Sequence, residues 1–274
     1  MECVILNQQK KEVIKHFDAW TISYEQEIWT RDKYFHNRIK ELVLNLVPEI
    51  KSQRILELGV GPGIYYKLFV RRHHYVIGMD ISKEMLKETR ANLKKIHYNG
   101  SNLILADAEF LPFRTNSFDI VNCIEVLRHL PQPYKIIWNV FREMQRILSR
   151  QGFILLTVPN ILFPLNIFWV IYYMIPRYIM RIFHKGIGYH YNSKGSFPHF
   201  PVLYNEPEDH MFNLFFMKKL SFRTNLKNFS MKGIFFFPAC PKVFQSLFKR
   251  INSALETSCW KFLAYSFFIK MNRS

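Results

Sequence analysis

The sequence predicts an α/β protein with a doubly wound, mostly parallel sheet and helices on both of its faces. Three observations lead to this fold class. Short apolar segments alternate with segments long enough for helices, a glycine-rich turn follows the first apolar segment, and the next two apolar segments each lead into an aspartate. Strands that alternate with helices of this length are typical of a parallel sheet, in which right-handed crossovers fix the winding.

Five strands are predicted in the first 160 residues, at 54–58, 75–79, 103–105, 118–123 and 153–158. Residues 1–50 before them are predicted to be helical, because apolar side chains recur at helical spacing between Ile39 and Val47. Ser82 precedes a further helical segment and is expected to cap it. After residue 160 the pattern is less regular, and one last strand is expected over residues 262–271.

Composition excludes several classes of protein. Apolar residues make up 49% of the 274 residues and charged residues 22%, which rules out a disordered chain. The four cysteines form no C-x-x-C pair, so neither a disulfide scaffold nor a cysteine zinc site is predicted, and no metal is expected. The first twenty residues contain no apolar signal segment, and with the cysteine pattern this predicts a cytoplasmic protein.

The charge balance is strongly basic and uneven. The net charge is +17; residues 1–160 carry 23 basic and 17 acidic groups, and residues 161–274 carry 15 and 4. A basic half predicts an anionic partner such as phospholipid, nucleic acid or an anionic substrate, although a solvated basic surface explains it equally well. No RNA-binding motif accompanies the charge, so nucleic acid is disfavoured as a partner.

One stretch of 26 residues without a charge, 151–176, has the length of a membrane span. Gly152, Pro159, Pro164 and Pro176 interrupt it, and its first part is a predicted strand. The uninterrupted remainder is too short to span comfortably. A transmembrane helix is therefore not predicted.

The glycine-rich turn after the first strand carries the main functional signal. Gly59, Gly61 and Gly63 permit a sharp turn and a close approach of a ligand, at the sheet edge where α/β proteins bind ligands. Asp80 follows Gly59 by 21 residues and ends the second strand, where a carboxylate can hold the hydroxyls of a ribose. A dinucleotide-binding turn would have glycine or alanine where Ile64 stands.

Two further acids extend this pattern. Glu57 lies on the first strand, two residues before the first glycine, and Asp107 closes the third strand. Acids at three successive strand ends, without a phosphate-binding glycine, suit a cofactor that has cationic amino and sulfonium groups and no pyrophosphate. A nicotinamide-dependent oxidoreductase is therefore disfavoured.

At this point the chain resembles the class I S-adenosylmethionine-dependent methyltransferases, and most of all the branch that includes quinone-pathway and other small-molecule enzymes. The resemblance covers about 105 residues, from Arg54 to Pro159, with its blocks in the family's order. Those blocks are residues 55–63 (ILELGVGPG), 78–86 (GMDISKEML), 106–113 (ADAEFLPF), 116–121 (NSFDIV), 125–130 (EVLRHL) and 146–152 (RILSRQG).

The resemblance implies a Rossmann-like, seven-stranded sheet with an inserted helical substrate cover. It implies three regions: a helical cap over 1–50, the cofactor-binding core over 51–160, and a substrate cover with the completion of the sheet over 161–274. It also implies S-adenosylmethionine as cofactor. The residues expected to contact it are Tyr24, Glu57, Gly59, Gly61, Gly63, Asp80, Ile81, Asp107, Ala108, Cys123 and Glu125.

Within that set the resemblance assigns separate roles. The glycines would pass under the methionine part of the cofactor, and Glu57 would meet its amino group. Asp80 would hold the ribose, Asp107 would accept from the adenine amine, and residues 123–125 would line the methionine side. Tyr24, with the nearby Phe17 and Asp18, resembles an N-terminal segment that closes over the cofactor.

The methyl acceptor is less well defined. Asn122-Cys123-Ile124-Glu125 stands where methyltransferases that act on amide or base nitrogens carry an Asn/Asp-Pro-Pro-aromatic motif, so an oxygen or carbon acceptor is favoured. His129 and His210 are the candidate bases for removing a proton from it. For each histidine, a position as an ordinary surface or loop residue is the explanation that the sequence favours over a catalytic one. Many relatives carry His or Glu where Arg128 stands, so no acid or metal role is carried over to that position.

Residues 161–190 are expected to cover the substrate. Arg177, Arg181 and Lys185 share one predicted helical face beside aromatic residues, which favours contact between residues 161–185 and an anionic membrane. The predicted acceptor is accordingly a small hydrophobic or lipid-linked molecule, and the protein is expected in the cytoplasm or peripheral to a membrane. A soluble metabolite enzyme, or a non-catalytic protein that binds the cofactor or docks on a membrane, are the alternatives. The sequence predicts no oligomeric state.

Overall fold

A computed structural model describes residues 2–31, 33–49, 52–130, 133–160, 162–164, 212, 214–234 and 245–273. Two helices open the chain, α1 (Glu2–Arg31) and α2 (Lys33–Leu46). Alternating elements follow: β1 (Arg54–Leu58), α3 (Ile64–Arg71), β2 (Tyr75–Asp80), α4 (Lys83–Lys94), β3 (Asn102–Leu105), β4 (Phe118–Cys123), α5 (Pro133–Ile147) and β5 (Leu148–Pro159).

The C-terminal part adds α6 (Leu214–Arg223), β6 (Leu226–Ile234), α7 (Gln245–Leu255) and β7 (Ser266–Arg273). Two short 3-10 helices lie at Leu127–His129 and Cys259–Leu263. Within the described part of the chain, no helix is both long enough and apolar enough to cross a membrane.

The seven strands form one sheet in the order β3-β2-β1-β4-β5-β7-β6. The first five strands in this order are mutually parallel, and β7 is antiparallel to both of its neighbours. The chain leaves β1 toward β2 on one side and returns to pair β4 on the other. The carboxyl ends of β1 and β4 therefore form a switch point, which is where open α/β sheets bind ligands.

Apolar side chains from helices bury both faces of the sheet. On one face α5 and α6 contribute buried residues such as Phe141 and Met217 to a core beneath β4 and β5. On the other face α2 and α3 contribute Ile39 and Phe69. The predicted α/β class, with a seven-stranded and mostly parallel sheet, is thus confirmed. The predicted helical cover at 161–190 lies outside the described residues apart from 162–164, and the three-region division stays a prediction.

The first four strand predictions hold to within one residue, whereas β5 begins at Leu148, five residues before the predicted start, and the C-terminal part differs further. The last strand begins at Ser266 and not at residue 262, because the Ser258 side chain accepts a hydrogen bond from Trp260 N and caps a 3-10 turn there. β6 was not predicted from the sequence; its register against β7 shifts between Lys227 and Ser230. Such a bulge breaks the alternation of side chains by which a strand is predicted from sequence.

An ion pair joins the two ends of the chain. The Arg38 guanidinium on α2 donates to both carboxylate oxygens of Glu256, at 2.7 and 2.6 Å, and Glu256 lies buried just beyond α7. The carboxylate of Glu256 raises the pKa of Arg38. Removing one partner of such a pair leaves the other charge buried and unpaired, which costs more than the pair itself contributes.

Arg38→Met is therefore expected to lower the free energy of unfolding by about 2 kcal/mol, a value reduced from that of a fully buried pair because the arginine is partly exposed. Arg38→Met/Glu256→Met should restore part of this loss, since it removes the unpaired charge. Urea denaturation of the three proteins at pH 7 measures the effect. A double variant less stable than Arg38→Met would contradict this account of the pair.

Candidate active site

A pocket opens at the carboxyl ends of β1 to β4, at the switch point of the sheet. Its walls come from the glycine turn after β1, the end of β2, the loop after β3, the loop after β4 and one face of α1. The lining residues are Lys10, Val13, Phe17, Tyr24, Leu58, Gly59, Gly61, Met79, Asp80, Ile81, Met85, Ala106, Asp107, Ala108, Ile124, Glu125, Val126, His129, Leu130 and Ile136.

The turn after β1 requires glycine for two reasons. All three of its glycines have positive φ, between 50° and 81°. In addition, a Cβ atom on Gly59 would lie 2.3 Å from a methyl group of Val126, so the Val126 side chain would have to shift. A Cβ on Gly61 would meet no atom within 4 Å, so the space over this part of the pocket wall is open. The turn thus gives a ligand access to bare backbone.

Asp80 is held in place by backbone amides. Its Oδ2 accepts from Gly61 N and its Oδ1 from Ser82 N, both at 2.9 Å. Burial raises the pKa of Asp80, and these hydrogen bonds oppose the shift. Ser82 also caps α4, as predicted: its Oγ accepts from Met85 N at 3.1 Å. The carboxylate is therefore fixed at the pocket wall, and the amides leave it further lone pairs to offer a ligand.

Asp107 pairs with Lys10, which was not among the predicted site residues. Lys10 on α1 donates to Asp107 Oδ2 at 2.5 Å and also to Glu109, while Asp107 Oδ1 accepts from Glu109 N at 3.0 Å. The Lys10 side chain is 15% exposed, so solvent screens this pair only weakly. The two carboxylates raise the pKa of Lys10 against the opposing effect of its burial. The lysine therefore stays charged at the adenosine end predicted for the pocket.

Glu57 lies behind the pocket lining and is 2% exposed. It accepts a hydrogen bond from Asn122 Nδ2 at 2.9 Å, and burial raises its pKa well above the usual value for glutamate. The hydroxyl of Tyr65 and the Oδ1 of Asn122 have no hydrogen-bond partner within the described residues. Cys123 is also buried, which raises the pKa of its thiol. A polar cluster therefore lies directly behind the switch point.

The loop after β4 is fixed by Glu125, whose φ is +58°. Glu125 N donates to Thr157 Oγ1, the Thr157 hydroxyl donates to Glu125 Oε1, and Arg128 donates to Glu125 Oε2 at 2.8 Å. Burial alone would raise the pKa of Glu125, but Arg128 and Thr157 outweigh it, and the net pKa is lowered. Arg128 is thus a structural partner of Glu125, and its neighbour His129 faces the pocket.

One face of α1 covers the pocket. Phe17 packs edge-on against the His129 ring at a centroid distance of 5.0 Å, and Tyr24 lines the same pocket. Asp18 Oδ1 accepts a hydrogen bond from Ser82 Oγ at 2.6 Å, which ties α1 to the start of α4. The N-terminal helix is therefore part of the site.

The structure brings most of the predicted site residues into one pocket. Tyr24, Gly59, Gly61, Asp80, Ile81, Asp107, Ala108, Glu125 and His129 line it, whereas Glu57, Gly63 and Cys123 are not among its lining residues. His210 lies outside the described residues. Lys10 was missed because nothing in the local sequence distinguishes it from the neighbouring Lys11 and Lys15. No group of three metal-ligating side chains occurs within the described parts of the chain.

The raised pKa of Glu57 predicts a stability that falls with pH. Between the pKa of the unfolded chain and the raised native pKa, the native state holds a proton that the unfolded state has lost. The stabilising contribution of Glu57 is therefore complete below the pKa of the unfolded chain. It is lost as pH rises through the raised native pKa. Glu57→Gln keeps a neutral acceptor for Asn122, and we expect it to reduce the decline between pH 5 and pH 8 in urea denaturation of the ligand-free protein.

Glu143→Gln is the matched control. Hydrogen bonding to Arg146 lowers the pKa of Glu143, so its contribution is present above the unfolded pKa and is lost as pH falls. This variant should lose stability at pH 8 and little at low pH, the opposite trend to Glu57→Gln. An equal decline in wild type and Glu57→Gln would show that Glu57 titrates normally.

Comparison with known proteins agrees with the geometry. A family described as "Methyltransferase domain" matches residues 56–156. A malonyl-[acyl-carrier protein] O-methyltransferase from Legionella pneumophila is 30% identical over 53% of this chain and 49% of its own length. A demethylmenaquinone methyltransferase from Thermotoga maritima is 28% identical over 52% of this chain and 59% of its own. The alignments thus span about half the length of these curated relatives.

Solved structures show the same fold over a larger share of the chain. The crystal structure of magnesium protoporphyrin IX methyltransferase from Synechocystis, with bound S-adenosylhomocysteine, aligns with a TM-score of 0.60 at 13% identity, covering 97% of this chain and all of that one. At this identity the likeness concerns the fold alone. The matched family, the strand order and the glycine turn agree, and residues 56–156 are therefore a methyltransferase domain of the class I, S-adenosylmethionine-dependent type.

Proposed function

We propose that this protein transfers a methyl group from S-adenosylmethionine to an oxygen or carbon of a small, hydrophobic or lipid-linked acceptor. The observation that carries the proposal is the pocket at the switch point. Asp80, Asp107 and Glu125 contribute carboxylates to its wall, and most of the other lining residues are apolar. Such a pocket suits a ligand with cationic and hydroxyl groups together with an apolar reaction partner.

The residues present fit S-adenosylmethionine. Asp80, fixed by two backbone amides, is the proposed partner of the ribose hydroxyls, and Ile81 packs beside the adenine. Asp107 and the Ala108 backbone read the adenine edge. The open space over Gly61 admits the methionine part, and the Glu125 carboxylate on the pocket wall favours the charge of its amino group. Glu57, behind that wall, would favour the same charge once it loses its proton.

S-adenosylmethionine supplies an electrophilic methyl group that an aligned nucleophile takes by in-line displacement. The protein's own part is to align the acceptor, exclude water and remove the acceptor's proton. His129 is the proposed base, because its ring lies in the pocket and Phe17 holds it from the side. His210 is the second candidate for this role.

The acceptor class is proposed on two grounds. The end of β4 and the chain after it read Asn122-Cys123-Ile124-Glu125, with no Pro-Pro pair, and Glu125 is engaged by Thr157 and Arg128. In addition, two of the relatives are named as enzymes for an acyl-carrier O-methylation and for demethylmenaquinone. An acceptor of this kind also favours a peripheral membrane location, for which residues 161–185 remain a proposed contact.

Asp80→Ala should weaken the binding of S-adenosylmethionine by more than tenfold, about 1.4 kcal/mol, because a charge-assisted hydrogen bond to the ribose is lost. Isothermal titration calorimetry measures the affinity. Asp119→Ala is the matched control: this aspartate pairs with Arg54 at the amino end of β4, away from the pocket, and its loss should leave the affinity within about twofold. Equal affinity of wild type and Asp80→Ala would overturn the assignment of the ribose site.

The activity itself can be tested with methyl-tritiated S-adenosylmethionine and a panel of lipophilic phenols, quinols and carboxylic acids, by counting label in an organic extract. With an acceptor so identified, His129→Gln should lower kcat by about a hundredfold or more and flatten its pH profile, with cofactor affinity retained. His97→Gln, on an exposed loop, is the control. Wild-type kcat in His129→Gln would exclude this histidine as the base.

A further inference from the structure

Lys10 joins the N-terminal helix to the pocket wall just beyond the end of β3. Its ammonium group donates to Asp107 Oδ2 at 2.5 Å and also to Glu109, and it lies 5.7 Å from the centroid of the Phe110 ring. Glu109 is held in turn from α5, where Asn139 Nδ2 donates to Glu109 Oε1 at 2.9 Å. Three neighbours therefore fix the ammonium group at the pocket wall, and Lys10 is one of the lining residues.

Asp107 and Glu109 are two like charges that meet at this one ammonium group. They belong to the same turn, in which Glu109 N donates to Asp107 Oδ1 at 3.0 Å. Their side chains are 27% and 5% exposed, so water screens the two charges only in part. Without the cation the carboxylates would repel each other, and the repulsion would be relieved when one of them turns away or takes up a proton. Lys10 thus determines where the Asp107 carboxylate points.

Other contacts hold α1 over the pocket. Asp18 Oδ1 accepts from Ser82 Oγ at 2.6 Å, and Phe17 packs against the His129 ring. Both contacts lie about two helical turns beyond Lys10. The docking of α1 therefore does not depend on Lys10 alone, and the effect of the lysine is concentrated on the two acids that it contacts.

We propose that Lys10 is a positioning residue for the cofactor, which holds the Asp107 carboxylate in the orientation that accepts a hydrogen bond from the adenine amine. This inference rests on the proposed function, in which Asp107 reads the adenine edge. Each oxygen of a carboxylate offers two acceptor directions. Lys10 takes one on Oδ2 and Glu109 N takes one on Oδ1, so each oxygen can bind one further donor. The lysine and the adenine amine can therefore contact Asp107 together.

This arrangement gives Lys10 an effect on selectivity. A carboxylate held in the right orientation favours a purine with a 6-amino group over one without it, because the second ligand leaves the acceptor without its donor. When the carboxylate is no longer held, this preference falls, whereas the proposed contacts of Asp80 and Glu125 with the ribose and the methionine part remain. Recognition of adenine thus depends on a residue that is 97 positions away from Asp107 in the sequence.

The test compares two ligands by isothermal titration calorimetry of the full chain. They are S-adenosylhomocysteine and its analogue in which hydrogen replaces the 6-amino group of the purine. Wild type should bind S-adenosylhomocysteine about tenfold or more tightly than the analogue, as expected for a hydrogen bond to a charged group. Lys10→Met removes the charge and keeps a long side chain. It should weaken the binding of S-adenosylhomocysteine by about fivefold or more and leave that of the analogue within about twofold.

Lys11→Met is the matched control, because it makes the same change at the next residue of α1, which is exposed and does not line the pocket. It should keep the preference of wild type. Lys10→Met/Glu109→Gln removes the repulsion between the acids and keeps an acceptor for Asn139, so it should regain a preference of about fivefold or more. A lysine that only supported α1 would give no such recovery. A preference as low as that of Lys10→Met would contradict the repulsion on which the proposal depends.

Three further results would overturn the proposal. An unchanged preference in Lys10→Met would show that Asp107 is oriented without the lysine. An equal loss of affinity for both ligands would show that Lys10 acts only by docking α1. Tighter binding of S-adenosylhomocysteine by Lys10→Met would show that the ammonium group obstructs the adenine.

Asp107→Ala separates these failures from a failure of the proposed function. If this variant loses the preference for the 6-amino group while Lys10→Met keeps it, the adenine assignment of Asp107 stands and only the positioning by Lys10 is wrong. If Asp107→Ala keeps the preference, or if wild type shows none, the adenine assignment itself is wrong and the positioning by Lys10 is overturned with it.

Discussion

The parallel pairing of β1 with both β2 and β4 is the constraint on which the site depends. Glu57 on β1 is in register with Gly78 on one side and Asn122 on the other. The chain runs from β1 to β2 on one side and only later pairs β4 on the other side. A crevice therefore opens at the carboxyl end of β1. Backbone amides of Gly59 and the next residue then donate to Met79 O at 2.8 and 2.9 Å, which sets the path of the turn. The pocket walls follow from this pairing.

Electrostatic costs are concentrated behind that crevice. A carboxyl group as deeply buried as that of Glu57 normally disfavours its charged form, and a fold tolerates such a group when a ligand or partner offsets the penalty. Asp80 and Glu125 meet the same penalty with local hydrogen bonds, from backbone amides in one case and from Thr157 and Arg128 in the other. Lys10 adds the remaining charge from a distant helix. The site thus combines carboxylates whose burial is offset by several local hydrogen bonds with Glu57, which accepts one hydrogen bond, from Asn122.

The sequence was sufficient for the parts of the fold that local chemistry determines. Each of these parts has a signal within a few residues of the sequence. Closely spaced glycines mark the turn after β1, a serine before a helix marks the Ser82 cap, and apolar runs mark the five parallel strands. Lys10 pairs with a residue 97 positions away, and β6 contains a bulge. Neither leaves a local pattern, because one depends on where a long helix packs and the other on a shift of register. The Lys10 pair and the course of β6 therefore depend on tertiary packing, which local sequence patterns do not reveal.

Charge is unevenly distributed over the described part of the chain. The pocket wall is rich in carboxylates although the chain as a whole is strongly basic, and α6 presents lysines without an acid. Charges that lie more than a Debye length apart are screened from one another at physiological salt, so a basic outer face need not weaken the attraction of the pocket for a cationic ligand. A pocket lined by carboxylates can therefore attract a cationic cofactor even in a chain whose net charge is +17.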